Sequence, residues 1–244
     1  MAGVVMVLRP QPGADETVAA LVAAGFAAQA LPVLERRALA ETAAMRARIQ
    51  ALAEYRIVVF VSPAAAEIGM AWIDRYWPQY PVDVVWVAVG EGTRRVLDRM
   101  GVRAVAPVTD ERSEGLLALP ELADVRHAKV LIMRGRGGRE LLAESLRARG
   151  AQVDLLELYE RRTVTVELPA AETVTAAVVS SVAVLDAFAA NGGMSWSRRP
   201  LIVPSPRVAA AARTAGFSEV VEAAGAGPAA TVCAVRTLES GEYG

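Results

Sequence analysis

The chain has few of the residues that enzymes most often use for metal binding and nucleophilic catalysis. Its 244 residues include one histidine, His127, and one cysteine, Cys233. A single cysteine excludes an internal disulfide framework and fits a cytoplasmic protein. One residue of each kind is too few for a zinc site of the His/Cys type, so we expect no metal. We expect His127 to lie on a solvated loop and Cys233 to be buried as a small apolar residue.

Lysine and long apolar runs are scarce as well. Lys129 is the only lysine among the 26 basic residues, which leaves little scope for Schiff-base chemistry. No run of about 18 apolar residues occurs, so we expect no membrane span. The first residues lack the basic region and cleavage site of a secretory signal, so we expect none. The net charge of −1 disfavours a general nucleic-acid-binding protein.

What the chain does contain is an internal repeat, in three pieces that occur in the same order in both halves. The alignment pairs Arg9 with Arg134 and Ser62 with Ser181. The offset between aligned residues shrinks only between the pieces, where loops tolerate deletions. We therefore expect two similar halves with a ligand bound between them. The aligned pieces are 4–37 with 129–162, 58–68 with 177–187, and 87–101 with 201–216.

Short, β-branched-rich apolar runs alternate with helical segments along the whole chain. Continuous runs of this kind are typical of parallel strands that are buried on both faces. Helical segments follow them, and several end at a glycine in the position that favours a left-handed conformation. We therefore expect an α/β fold of β-α-β units with right-handed crossovers. The predicted strands are 4–8, 28–31, 57–61, 84–89, 103–106, 130–133, 153–158, 176–179, 201–203 and 219–222, and the glycines are Gly25, Gly101, Gly150 and Gly216.

Two charged, extended segments, 34–37 and 159–163, lie at equivalent points of the repeat. A chain that leaves one domain near residue 36 and returns near residue 161 would explain this equivalence. The repeat is equally compatible with two domains in tandem. Tyr159 opens the second segment, and its position alone favours a structural and a functional role equally.

The turns that follow the strands are the expected ligand site, because ligands of open parallel sheets bind beyond the carboxyl ends of the strands. Ser62-Pro63 and Ser205-Pro206 have the pattern of an N-cap serine followed by proline, and capping alone would explain each serine. Several helix N-termini facing one cleft would bind several anionic groups, and arginines would strengthen that binding. The arginines in these turns are Arg9, Arg134, Arg136 and Arg207.

The glycine-rich turn at 135–138 does not match a nucleotide-binding motif. The dinucleotide fingerprint requires glycine where Glu140 stands, and no Gly-Lys-Ser/Thr sequence of a P-loop occurs. We therefore interpret glycines such as Gly135 as positions where the backbone approaches a ligand closely.

These motifs, taken in order, resemble the uroporphyrinogen-III synthase family over essentially the whole chain. The matching segments are Arg9-Pro10, FVSP at 60–63, VAVG at 87–90 with Thr93, SEGLL at 113–117, LIMRG at 131–135, RGA at 149–151 with Val153, and LY at 158–159. The resemblance implies two flavodoxin-like parallel-sheet domains joined by a two-stranded linker, with the chain crossing twice. One domain would comprise 1–35 plus 164–244, the linker strands 36–37 and 161–163, and the other domain 38–160.

The resemblance also implies an activity. The enzymes of this family are lyases of tetrapyrrole and heme biosynthesis that cyclise hydroxymethylbilane to uroporphyrinogen III. Loss of the hydroxyl gives an azafulvene, ring D attacks to form a spiro intermediate, and cleavage with re-closure inverts ring D. The substrate carries eight carboxylates and much of the reactivity. Together with the scarcity of histidine and cysteine and the lack of nucleotide motifs, the resemblance implies an enzyme without a cofactor. We expect a cytoplasmic monomer, because the single cysteine fits the cytoplasm and the two short crossings suggest a small interface between the domains. Transient contact with porphobilinogen deaminase is one further possibility.

Site residues are carried over from the family position by position. Tyr159 matches a conserved tyrosine and is the candidate to assist departure of the hydroxyl. Thr93 matches the threonine of a family turn, whereas the matching turn in the other half reads PSPR, so that Ser205 or Arg207 would substitute there. The expected substrate-binding residues are Arg9, Ser62, Gly90, Thr93, Ser113, Arg134, Gly135, Ser181, Ser205 and Arg207.

Two other functions would use the same fold. A non-enzymatic hinge-type sensor or carrier of a polyanionic small ligand would have the same binding residues but no turnover. A flavin-binding protein is also compatible with flavodoxin-like domains, and it would be coloured when purified.

Overall fold

The computed structural model describes residues 3–108, 113–138 and 140–240, except for the side chains of Ser113 and Glu239. The chain divides into two compact units: unit 1 comprises Met1–Arg36 and Arg162–Gly244, and unit 2 comprises Arg37–Arg161. The domain limits and the two-stranded linker expected from the sequence stay predictions.

Strands and helices alternate along most of the described chain. The strands are β1 (Val4–Val7), β2 (Ala28–Ala30), β3 (Leu34–Ala38), β4 (Ile57–Phe60), β5 (Val85–Ala88), β6 (Lys129–Gly135), β7 (Gln152–Thr163), β8 (Val174–Val178), β9 (Leu201–Val203) and β10 (Val220–Glu222). The α-helices are α1 (Gly13–Ala23), α2 (Ala43–Gln50), α3 (Pro63–Ile73), α4 (Glu91–Arg99), α5 (Ser113–Leu117), α6 (Leu141–Ala148), α7 (Val182–Ala190), α8 (Pro206–Thr214) and α9 (Pro228–Ser240). Short 3-10 turns occur at Leu52–Glu54, Pro120–Leu122, Ala171–Thr173 and Gly193–Trp196.

Unit 1 contains a five-stranded sheet of order β10-β9-β8-β1-β2, and its paired strands are parallel. This is the flavodoxin-like order 2-1-3-4-5. Successive residues of β1 enter different cores: Met6 packs with Phe188 on one face of the sheet, and Val5 packs with Leu21 on the other. Burial on both faces is the reason that the strand is apolar throughout.

The second sheet, whose strands β4, β5 and β6 lie in unit 2, has the order β3-β7-β6-β4-β5, in which β7, β6, β4 and β5 are parallel. The repeat pairs β6 with β1, β7 with β2, β4 with β8 and β5 with β9, so these four strands have the same order in both sheets. The fifth strands differ, since β3 adjoins β7 and β10 adjoins β9. Phe60 of β4 packs in one core, and Val59 packs in the other. The α/β fold with parallel sheets expected from the sequence is therefore confirmed.

Several local expectations are confirmed, and two are wrong. The four glycines predicted to end helices all have positive φ, from +78° at Gly101 to +101° at Gly216, and His127 is exposed. The predicted strand 103–106 is reduced to a single bridge between Val105 and Val87. Cys233 is exposed on α9, because helical spacing turns its neighbour Ala234 into the core instead. No helix in the described ranges is long and apolar enough to cross a membrane.

Candidate functional site

Tyr159 and Ser62 meet at the carboxyl edge of the unit 2 sheet. The Tyr159 side chain is buried, with the residue 2% exposed, and its Oη lies 3.0 Å from Ser62 Oγ. Ser62 is the N-cap of α3, and its Oγ accepts a hydrogen bond of 3.0 Å from Ala65 N. A serine hydroxyl has one proton and can accept two hydrogen bonds. Ser62, which is half-buried, therefore connects the buried phenol to the edge of the sheet.

Gly135 is what allows the Tyr159 ring to lie there. The two residues are register partners on β6 and β7, just past an irregularity in the pairing. A Cβ on residue 135 would lie 2.6 Å from both Cε2 and Cζ of Tyr159, which is closer than any side chain can pack. Arg136 N also donates to Tyr159 O at 2.7 Å. Gly135 therefore acts in this site by positioning Tyr159.

Arg134 is a buried arginine whose charge is balanced inside unit 2. Its side chain is 4% exposed, and Nη1 lies 2.9 Å from Glu140 Oε1. Nη2 donates to Gly138 O, and Nε donates to Gly135 O at 3.3 Å. A buried charge is destabilising unless it is paired and hydrogen-bonded, so this arrangement makes Arg134 a clamp for the turn that follows β6.

The start of α4 carries two more expected site residues. Gly90 is the N-cap, in extended conformation, and its carbonyl accepts hydrogen bonds from Thr93 N and Arg94 N at 3.1 and 3.0 Å. Thr93 is 1% exposed, so the structure places it inside the unit. Glu91 occupies the helix N-terminus, and hydrogen bonds from Arg94 and then Arg95 lower the pKa of its carboxyl. Ser113 begins α5, and its side chain lies outside the described residues.

Arg9 is the repeat counterpart of Arg134 at the carboxyl edge of the unit 1 sheet, but its surroundings differ. It is half-buried, and its Nη1 donates to Ala226 O at 2.9 Å and to Thr17 Oγ1 at 3.2 Å. Burial lowers the pKa of the guanidinium, Glu16 raises it, and Arg36 lowers it. Among the described residues, no carboxylate forms an ion pair with Arg9.

A small cavity of about 10 Å³, room for a single water-sized group, adjoins Arg9. The residues around it come from the turns after β8, β9 and β10, together with α9. They include Ser180, Pro204, Gly225 and Thr231. The cavity therefore places Arg9 among the strand ends of unit 1.

The remaining expected residues of unit 1 lie at helix N-termini. Ser181 caps α7, and its Oγ accepts from Val184 N at 3.3 Å. Ser205 is the N-cap of α8, with proline at the first helical position as expected, but its hydroxyl makes no capping hydrogen bond. Arg207 follows in the first turn and is exposed.

Sequence reasoning missed the groups that distinguish the two arginines. In the sequence, Glu140 was noted only because it stands where the dinucleotide-binding motif requires glycine, although it also occupies the repeat position of Asp15. Thr17 and Ala226, the acceptors of Arg9, carried no signal. The described residues contain no cluster of three or more His, Cys, Asp or Glu side chains with the geometry of a metal site.

Comparisons with known proteins agree with the fold and the motifs. A family model described as uroporphyrinogen-III synthase HemD matches residues 15–233. Uroporphyrinogen-III synthase of Salmonella typhimurium is 36% identical over 158 residues, and that of Escherichia coli is 34% identical over 161. Each alignment spans 64% of this chain and 64% of the relative's own length. A crystal structure of mutant uroporphyrinogen III synthase from Thermus thermophilus matches with a TM-score of 0.66 at 16% identity, over 98% of this chain and 100% of that one.

Proposed function

Because the chain belongs to the uroporphyrinogen-III synthase family, we propose that it cyclises hydroxymethylbilane to uroporphyrinogen III, with loss of water and inversion of ring D. The observation that carries this proposal is the Tyr159–Ser62 hydroxyl pair at a sheet edge, in a chain of this family. The reaction needs a proton or a hydrogen bond for the departing hydroxyl, and a hydroxyl pair can supply it.

The burial of Tyr159 decides how the pair would act. Since Tyr159 is 2% exposed, its proton has Ser62 Oγ as its acceptor. The 3.0 Å contact allows either hydroxyl to donate; if Tyr159 donates, Ser62 accepts from both Tyr159 and Ala65 N, which leaves the Ser62 proton for the substrate. In this proposal Ser62 contacts the departing hydroxyl and Tyr159 polarises Ser62, in place of the direct donation by Tyr159 expected from the sequence.

The protein's second task is to hold a flexible linear tetrapyrrole in the conformation that leads to ring inversion. Eight carboxylates provide the handles for this. The N-termini of α7 and α8, with Ser181, Ser205 and Arg207 beside them, offer backbone N–H groups and positive charge of the kind that binds carboxylates. Isomer III would form because the bound conformation outruns the spontaneous closure to isomer I.

We further propose that the enzyme is a lyase that works in the cytoplasm as a monomer, without a metal or an organic cofactor, and contacts porphobilinogen deaminase only transiently. The single cysteine and histidine support the absence of a His/Cys metal site. Light scattering over a range of concentrations would test the monomer, and retention of activity in a chelator would test the metal-free reaction.

The experiment that tests the function couples porphobilinogen deaminase to this protein and separates uroporphyrin isomers I and III by chromatography after oxidation. We expect isomer III to dominate, and the deaminase alone to give isomer I. A product that stays all isomer I contradicts the proposal and favours a non-enzymatic carrier of polyanions. A yellow purified protein would instead favour a flavin-binding protein.

A further inference from the structure

The two repeat-equivalent arginines, Arg9 in unit 1 and Arg134 in unit 2, differ in their partners. Arg134 forms an ion pair with Glu140, and Arg9 forms none among the described residues. Each follows the corresponding strand, β1 or β6, and each guanidinium lies against a glycine of the next turn, Gly13 or Gly138. The position of the side chain is therefore shared by the two units. What differs is the anion that each arginine meets.

In unit 2 the chain itself supplies the anion. Glu140 Oε1 lies 2.9 Å from Arg134 Nη1, and the Arg134 side chain is 4% exposed. Glu140 is half-exposed, at 49%, so its carboxylate approaches the guanidinium from the solvent side. A carboxylate is therefore already bound at the accessible side of Arg134.

In unit 1 the residue at the same repeat position is Asp15, and it turns away. Its Oδ1 accepts from Gln11 Nε2 at 2.7 Å, and its backbone N donates to Gln11 Oε1 at 3.2 Å. Both hydrogen bonds are local to the start of α1. Asp15 is also one methylene shorter than glutamate. Among the described residues, no carboxylate thus takes the position beside Arg9 that Glu140 occupies beside Arg134, and Nη1 of Arg9 donates to Ala226 O and Thr17 Oγ1 instead.

Arg9 uses only one nitrogen of its guanidinium for hydrogen bonds within the described residues. Both of these bonds leave from Nη1, to Ala226 O and Thr17 Oγ1. Nε and Nη2, the pair of donors that binds a carboxylate in a bidentate manner, have no acceptor among the described residues. A Cβ at Gly13 would lie 2.7 Å from Nε and 2.9 Å from Nη2, so residue 13 must be glycine for the guanidinium to lie where it does.

We propose that Arg9 is the carboxylate-binding residue of unit 1: one carboxylate of the tetrapyrrole substrate binds to its Nε and Nη2, whereas Glu140 meets Arg134 at Nη1, and Arg134 makes no contact with substrate. This inference rests on the proposed function for the identity of the ligand. The water-sized cavity beside Arg9 is lined by Ala226, the acceptor of Nη1, and it offers further space near the guanidinium. A half-buried guanidinium that forms no ion pair among the described residues would gain charge-assisted hydrogen bonds from a carboxylate.

The test measures binding of uroporphyrin III, a stable octacarboxylate, by fluorescence quenching. We expect Arg9→Gln to weaken binding about tenfold, the lower end of what a charge-assisted hydrogen bond contributes. We also expect the variant to show a smaller loss of affinity than the wild type as salt is raised. Arg236→Gln removes an exposed arginine of the same unit and is the matched control, with unchanged affinity. Unchanged affinity and salt dependence in folded Arg9→Gln would overturn the proposal.

A second measurement uses the wild-type protein, so that it does not depend on the folding of a variant. Phenylglyoxal modifies accessible arginines, and mass spectrometry locates the adducts. Uroporphyrin III should protect Arg9 and leave Arg236 equally modified with and without the porphyrin. Equal modification of Arg9 in both samples would overturn the inference.

The two proposals fail in different ways. A wild type that forms no isomer III in the coupled assay contradicts the proposed function, whatever Arg9 does. A wild type that forms isomer III, combined with normal porphyrin binding by Arg9→Gln, contradicts the role of Arg9 alone.

Discussion

Four equivalent strands have the same order in the two sheets, yet the polar groups at the carboxyl edges of these sheets have different partners. In unit 2, Arg134 is paired with Glu140, and the N-terminus of α4 carries Glu91. In unit 1, Arg9 forms no ion pair with a carboxylate among the described residues, and α7 and α8 have no acidic residue in their first turns, although α1 carries Asp15 and Glu16 there. The clearest difference between the two copies of the fold is therefore at the repeat-equivalent arginines, since only Arg134 has a carboxylate partner among the described residues.

The serines that begin equivalent helices show the same division. Ser62 Oγ is engaged by Ala65 N and by Tyr159 Oη. Ser181 accepts one longer bond, of 3.3 Å from Val184 N, and Ser205 caps its helix without a side-chain hydrogen bond. Unit 2 thus presents a positioned hydroxyl pair, which suits proton donation, and unit 1 presents donors that suit anion binding.

The largest expected effect concerns the hydroxyl pair of unit 2. Tyr159→Phe keeps the ring against Gly135 but removes the proton that polarises Ser62. We expect turnover to isomer III to fall about 100-fold, at the lower end for loss of general acid catalysis because the substrate is itself reactive. The coupled isomer assay measures this.

Tyr55→Phe is the matched control, since Tyr55 is also buried and hydrogen-bonded, to Asp154 Oδ2 at 2.8 Å. It should leave turnover near the wild-type value. Wild-type turnover in Tyr159→Phe, together with its loss in Ser205→Ala, would reverse the roles assigned to the two sheet edges. Loss of turnover in Thr93→Val would instead assign the catalytic role to the start of α4 in the same unit.

The next effect compares the two arginines by stability. Arg134→Met removes a buried clamp with hydrogen bonds to Gly138 O and Gly135 O, so we expect the free energy of unfolding to fall by about 2 kcal/mol. Arg9→Gln should cost under about 1 kcal/mol, because Arg9 is half-buried and bridges fewer groups. Urea unfolding at neutral pH measures both. Equal losses would mean that the two arginines are both structural.

A smaller effect compares two N-cap serines that both precede proline. Ser62→Ala removes an observed cap bond, so we expect a loss of about 1 kcal/mol in unfolding free energy. Ser205 makes no such bond, so Ser205→Ala should cost only a few tenths of a kcal/mol. Thermal unfolding of the two variants side by side measures the difference, and the opposite order would show that Ser205 caps α8 in solution.

The smallest effect depends on pH. The pKa of Glu91 is lowered below its usual 4.5 by hydrogen bonds from Arg94 and Arg95. Its contribution to stability is therefore fully present above the usual pKa and is lost as pH falls through the lowered, folded-state value. Glu91→Gln should make the acid-induced loss of stability slightly shallower below pH 4.5. Because the group is exposed, the effect is small and should shrink further in high salt. An unchanged dependence of stability on pH would show that the hydrogen bonds from Arg94 and Arg95 to Glu91 contribute no measurable stability.

Predictions from the sequence agreed best with the structure where the physical cause acts between neighbouring residues. The positive φ of Gly150 follows from the need for a residue without Cβ after a helix, and the Ser62-Pro63 cap follows from the backbone preferences of those two residues. Burial within a helix depends on more than the residue type. In α6, Leu142 and Leu146 are buried, whereas Leu141, at the first helical position, is 40% exposed.

The sequence by itself determined the apolar runs that become buried parallel strands, the positions at which helices begin and end, and the repeat that relates the two units. These depend on neighbouring residues and on backbone preferences that act over a few positions. Only the tertiary structure decided which polar groups meet. Tyr159 and Ser62 are 97 residues apart, and Arg9 and Ala226 are 217 apart. Strand order and register bring such pairs together, and no local pattern encodes them. That is also why the two arginines look equivalent in the sequence, and why only the fold shows Glu140 turned toward one of them and Asp15 turned away from the other.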